Sequence, residues 1–166
     1  MNDVIIGNAF SLCAMVTDSI SGTRKKKSEI LGWQLISQFF YTACSIVLKG
    51  YSSAVQDAVA ILRNLVGMKD LNNKYVEWTL ILTAVVLGFV FNNRGYLGWL
   101  PVFANLEYSI AIFRFKDNEK ALKIAFIINM ALYAVFCYVI LNYVGTIANI
   151  IVVISTAVSL LKESKA

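Results

Sequence analysis

Histidine is missing from this 166-residue chain, proline occurs once and cysteine three times. Without histidine the usual general base at neutral pH is gone, and no serine or cysteine has an evident activating partner. Cys13, Cys44 and Cys137 lie far apart inside apolar stretches, so neither zinc-type spacing nor a disulfide framework is expected. Each reads as a small packing residue. No Gly-Lys-Ser/Thr loop is present to cradle phosphates, which argues against direct nucleotide drive. A membrane-embedded enzyme would need clustered carboxylates, and Asp18, Asp57 and Glu107 fall on three separate segments. Neither enzyme activity nor a cofactor is expected.

Apolar residues are what the chain has in abundance: 58% are hydrophobic and the mean hydropathy is +0.67. That cannot be hidden in one soluble core of this length without leaving a greasy surface. Seven apolar segments, at 4–21, 29–48, 51–68, 75–92, 96–114, 120–141 and 143–161, are each about long enough to cross a hydrocarbon core of roughly 30 Å. The first is preceded by Met1, Asn2 and Asp3, without the basic start of a secretory signal, and is expected to stay as an anchor.

Charge orients these segments. Numbering the connections alternately, one side receives Arg24, Lys25, Lys26, Lys27, Lys69, Lys74, Arg114, Lys116, Lys120, Lys123, Lys162 and Lys165, twelve of the fifteen positive residues. The other side receives Lys49 and Arg94, while Arg63 stays within the third segment. By the positive-inside rule the N-terminus faces out and the C-terminus is cytoplasmic. The net charge of +5 is therefore read as topology and not as nucleic-acid binding, although anionic headgroups could touch the basic run. Trp33, Trp78 and Trp99 lie close to the expected interfaces, as an aromatic belt would.

The segments divide as three, one and three: residues 1–70, a linker helix in 71–94, and 95–166. A shift of 92 places Ile36 on Ile128, Tyr41 on Tyr133, Val47 on Val139, Tyr51 on Tyr143 and Val66 on Val158. It also lays Leu48-Lys49-Gly50-Tyr51 on Ile140-Leu141-Asn142-Tyr143 without a gap. Both halves start on the same side, so the repeat is parallel, about an axis along the membrane normal. The expected architecture is all-α, a polytopic bundle of seven transmembrane helices.

Polar residues in lipid turn toward a bundle interior or a wet cavity, so their spacing marks the inward faces. Gln34, Ser37, Gln38, Tyr41 and Ser45 share one face of the second segment; Ser53, Gln56, Asp57, Ala60, Asn64 and Gly67 do so on the third. Small and polar residues on a face are also ordinary helix-packing glue. Tyr41, Asp57, Tyr133 and Asn149 lie at similar depth, about 10 Å below the outer ends of their helices. They form two pairs at the 92-residue shift. With Gln38 and Asn129 they are the candidate substrate-binding residues, able to stack on and hydrogen-bond a small polar molecule. Asp57 needs a proton, a cation or hydration when buried, and Arg63, six residues and about 240° away, is not its partner. Arg63 is expected to pair with Asp18 or Glu107, either as a structural bridge or as an inner gate.

At 38–68, and especially Leu62-Arg63-Asn64-Leu65-Val66 following Lys49-Gly50-Tyr51-Ser52, the chain resembles the YgjV-type bacterial inner-membrane family. That resemblance implies a multi-pass protein of the inner membrane and supplies architecture more than substrate. The helix pattern is similar in turn to the wider MtN3-like group, with its SWEET sugar facilitators and PnuC-type vitamin transporters. The SWEET pattern implies paired asparagines facing substrate on spans three and seven; these positions fall on Asp57 and Asn149, and only Asn149 keeps the residue type. That group bends on several prolines, whereas this chain has Pro101 alone, entering span five, as its candidate hinge.

The expected function is a facilitator that moves a sugar, nucleoside or vitamin by alternating access. The alternative is a non-transporting membrane adaptor or structural protein. Expected partners are the lipid bilayer and a small polar substrate, compatible with a homo-oligomer.

Overall fold

The computed structural model describes residues 1–22, 27–69, 73–114 and 119–163. Arg24, Lys25, Lys26, Lys116 and Lys165 of the orienting charges lie outside these residues. The chain forms α1 (Asn2–Gly22), α2 (Lys27–Val47), α3 (Tyr51–Met68), α4 (Lys74–Val90), α5 (Leu100–Arg114), α6 (Glu119–Val139) and α7 (Tyr143–Glu163). These match six of the expected segments within a few residues. The fifth is divided: a 3-10 turn at Gly95–Trp99 precedes an α5 of only 15 residues. Pro101 has no N–H to give the carbonyl of Leu97, and the Leu100 N–H bonds it instead in the tighter register. Pro101 therefore sits in the first turn of α5, where its missing donor costs nothing, and frees no carbonyl inside a helix.

Asn2–Ile20 is long and apolar enough on its own to cross a bilayer; Lys123–Val139 and Tyr143–Val158 are apolar but shorter. Helices α2 and α3 carry Gln34, Ser37, Gln38, Gln56, Asp57, Arg63 and Asn64, and these lower the mean hydropathy of their segments.

Neighbouring helices close a ring. α1 packs on α2, α2 on α3, α3 on α5, α5 on α6, α6 on α7 and α7 on α1, while α4 lies outside against α3 and α5. Residue exposure is inverted relative to a water-soluble bundle. Ser11, Ser37, Ser45, Ser53, Gln56, Asp57, Asn64 and Asn129 are buried, whereas Phe39, Val86, Phe89, Ile147, Ile151 and Ile154 are more than half exposed. An apolar exterior around buried polar groups is the arrangement a hydrocarbon solvent selects.

The connections after α2 and α6 are the same turn twice. Lys49 (φ 57°) and Leu141 (φ 64°) both take the left-handed conformation. The Lys49 N–H bonds Ile46 O at 3.0 Å and the Gly50 N–H bonds Ser45 O at 2.7 Å. Ninety-two residues on, Leu141 bonds Tyr138 O at 3.1 Å and Asn142 bonds Cys137 O at 2.8 Å. Each pair is a Schellman closure, satisfying carbonyls that a helix end leaves open. A non-glycine residue in this conformation costs about 1 kcal/mol, accepted at both sites.

Gln56 ties α4 to the ring. It is 1% exposed, donates from Nε2 to Ala84 O at 2.8 Å and accepts at Oε1 from the Asn105 Nδ2 at 2.7 Å. One amide thus joins α3, α4 and α5. Gly88 of α4 lets the backbones come this close: a Cβ there would lie 2.6 Å from Val102 and 2.7 Å from Gln56 Nε2. Gln56→Ala leaves the Asn105 amide unpaired, and Gly88→Ala pushes α4 away from both neighbours. Each substitution is expected to lower stability by roughly 2 kcal/mol, as read by unfolding of purified protein in detergent.

Candidate functional site

The turns after α2 and α6 meet the start of α1 and the segment before α5 at one end of the ring. Asn8 of α1 donates to Leu141 O at 2.9 Å and accepts from the Val144 N–H at 2.9 Å. Asn93 does the same for the other turn, donating to Lys49 O at 2.8 Å and accepting from the Tyr51 N–H at 3.4 Å. Arg94 adds bonds to Leu48 O at 2.9 Å and Lys49 O at 3.2 Å, placing a cation at the negative end of α2. Each turn is clasped by an amide from a segment beside it in the ring.

Beneath the clasps lies an apolar plug. Cys44 and Leu48 of α2 pack with Phe136 and Ile140 of α6, all at most 6% exposed, and Val4, Phe10 and Leu100 border them. At the 92-residue shift Cys44 corresponds to Phe136 and Leu48 to Ile140, so the plug is two copies of one pair. Gly7 keeps α1 against it; a Cβ at Gly7 would fall 2.5 Å from Leu48.

Below the plug the environment turns polar. Asp57, six residues and about 9 Å along α3, is buried and accepts from the Ser45 hydroxyl at 3.2 Å, whose oxygen also lies 3.3 Å from the Ser53 Oγ. At the same depth in α7, Asn149 donates to Cys137 Sγ at 3.7 Å. The two contacts correspond: Ser45 shifts onto Cys137 and Asp57 onto Asn149. Tyr41 and Tyr133 both have Asp57 and Cys137 as electrostatic neighbours. Tyr41, Asp57, Tyr133 and Asn149, gathered by sequence from four helices, therefore surround one interior region.

The remaining candidates are distributed differently. Gln38 is half-buried and its Oε1 has no partner, so it offers an acceptor to the interior. Asn129 is buried and donates to Ala104 O of α5 at 2.7 Å, joining α6 to α5 as packing glue. Asp18 accepts a short hydrogen bond from the Ser37 hydroxyl and another from Tyr41. Arg63 has the phenols of Tyr133 and Tyr108 as its electrostatic neighbours. Among the described residues it makes no ion pair with Asp18 or Glu107, which corrects the expected bridge. The reason is helical phase. Asp18 is occupied by α2, and Glu107 shares the outward stripe of α5 with Phe103 and Ile110, opposite the inward Asn105.

The sequence gives no site role to Asn8, Asn93 or Arg94, and it places Cys137 on the inward face of α6 without its bond to Asn149. The gap-free match of the two turns was the available signal, since it pairs Cys44 with Phe136 and Ser45 with Cys137. The clasp by Asn93 had no such signal, because its partner is 44 residues away and is a backbone carbonyl.

A buried carboxylate held by one hydroxyl among the described residues is a poor stabiliser, because desolvation outweighs the gain from a single hydrogen bond. Asp57→Asn keeps the Ser45 contact and removes the charge. It is expected to raise stability by roughly 1 kcal/mol in detergent unfolding; a loss of about 2 kcal/mol or more would instead make Asp57 a structural anchor.

Comparison with the curated proteins and with the solved structures gives no match. A family model described as bacterial inner membrane protein, of the YgjV type, matches residues 5–166, essentially the whole chain. With its apolar exterior and polar interior, the chain belongs to this family of bacterial inner membrane proteins.

Proposed function

We propose that the protein is a facilitator for a small polar solute such as a sugar, nucleoside or vitamin, working by alternating access between two three-helix halves, α1–α3 and α5–α7, joined by α4. One observation supports this most directly: the Ser45–Asp57 and Cys137–Asn149 contacts recur at the 92-residue shift, under a plug and two turns that recur at the same shift. Helix neighbours agree, because α1 on α7 and α3 on α5 are the same contact with the halves exchanged. Two equivalent halves meeting at polar pairs can rock about those pairs while each stays rigid.

The charge distribution of the connections puts the clasped end outside and the C-terminus in the cytoplasm. In this orientation Asn8, Asn93 and Arg94 hold the outer side shut over the plug. Solute then reaches Asp57 and Asn149 from the cytoplasmic side, past Tyr41 and Tyr133. The tyrosines offer faces for a ring, and Asp57 accepts hydrogen bonds from hydroxyl or amine donors. No catalytic step is part of this cycle.

A second reading, a non-transporting adaptor, draws on the amides of Gln56, Asn105 and Asn129, all of which are used up in joining helices. A thermal-shift screen of purified protein against sugars, nucleosides and vitamins separates the two, followed by uptake of any hit into proteoliposomes. The facilitator predicts a stabilising ligand whose effect is lost, with uptake reduced at least tenfold, in both Asp57→Ala and Asn149→Ala. Stabilisation that survives both replacements would remove the interior site, and a screen without any ligand would favour the adaptor.

A further inference from the structure

Outside the ring, α5 and α6 leave an open groove of about 660 Å³ between them. Its walls are apolar, including Phe103 and Ile110 of α5 and Ile124 and Ile128 of α6, with one exception: Glu107. Glu107 lies seven residues from either end of α5, so its Cα is roughly 10 Å from each. Phe103, Glu107 and Ile110 follow one helical stripe, and Phe103 is 55% exposed. The groove therefore faces lipid, at the middle of its depth.

Glu107 is not satisfied there. Its Oε2 is buried and without a hydrogen-bond partner, and the lining among the described residues contains no cationic residue. A carboxylate facing hydrocarbon at mid-depth costs several kcal/mol unless it takes up a proton or a counter-charge accompanies it. Among the described residues Arg63 makes no ion pair with Glu107, and its electrostatic neighbours are the phenols of Tyr133 and Tyr108. A hydrated inorganic cation would have to shed its water to enter walls of this composition. A cation already wrapped in apolar surface brings both the missing charge and the area that fills the groove.

We propose that the α5–α6 groove is a membrane-facing binding site for amphipathic organic cations, with Glu107 as their counter-ion. The site is separate from the interior one and is reached through the bilayer. Its size is within the range of small-molecule sites, and its single polar group at the centre fixes the position of the charge while the aliphatic walls accept varied bodies.

Tetraphenylphosphonium is the probe, applied to the full chain in nanodiscs of zwitterionic lipid and measured by equilibrium binding of the radiolabelled cation. Saturable binding of one cation per chain is expected, weakened at least tenfold in Glu107→Gln. Removing a lipid-facing charge leaves folding intact, which unfolding of the same sample checks. Ala125→Phe fills the groove without altering charge and is expected to weaken binding similarly. Tetraphenylborate, of the same shape and opposite charge, should not compete. Equal binding to Glu107→Gln, or competition by tetraphenylborate, would overturn the proposal and leave an acyl-chain groove. Loss of the probe in Asp57→Asn with retention in Glu107→Gln would overturn it by moving the cation to the interior. A chain cross-linked to a second copy across α5 and α6, with the probe excluded, would overturn it in favour of a self-association face.

Discussion

Hydrocarbon offers no hydrogen bonds, and every polar group in this protein is arranged around that fact. In water an amide that loses its partner turns to solvent; in a bilayer it has only other protein atoms. The buried residues accordingly read as a polar network inside an aliphatic shell. Gln56 bonds a carbonyl of α4 and an amide of α5, and Asn129 bonds a carbonyl of α5. Apolar contact between helices adds little drive when lipid tails are equally apolar, so these few bonds and the close backbone approach at Gly88 specify which helices touch.

The same constraint explains why the ends of α2 and α6 are so similar. A helix that stops near the membrane surface exposes several carbonyls, and a three-residue connection leaves little water-filled space in which to satisfy them. Two Schellman turns do so locally, and side-chain amides from the neighbouring segments take the carbonyls that the turns themselves expose. Asn142 carries this further, capping α7 through the Gly145 N–H at 2.9 Å, a bond that Gly50 has no side chain to make. The clasp is thereby continuous with the plug, since Leu48 and Ile140 precede the left-handed residue directly in each case.

Helix existence and the interior set were legible because both rest on period. Apolar runs separated by short connections gave the helices, and a constant shift brought Tyr41, Asp57, Tyr133 and Asn149 to one depth. What escaped was decided by phase and by backbone. Glu107 and Arg63 lie at compatible depths, but Glu107 is two residues, about 200°, from the inward Asn105, and no depth argument detects that. Pro101 read as a hinge from its identity alone; its place in the first turn, set by the 3-10 segment ahead of it, makes it a helix start. Arg94 counts in the sequence only as a loop charge and Asn93 carries no signal there, whereas both act on main-chain carbonyls that sequence does not distinguish.

The two corresponding contacts are similar in place and opposite in polarity, and this difference bears on what the interior can hold. Ser45 donates to Asp57, while Asn149 donates to Cys137. Asp57, when ionised, only accepts, so further bonds to it must come from donors. Asn149 already commits one N–H to a weak sulfur acceptor, which a better acceptor displaces at low cost, and its carbonyl remains an acceptor. A perfectly symmetric pair would offer the same chemistry from both sides and would suit a molecule with like ends. Here Asp57 presents a carboxyl that only accepts when ionised, while Asn149 presents a neutral amide that gives and accepts, so the two corresponding positions differ in the chemistry they offer the interior.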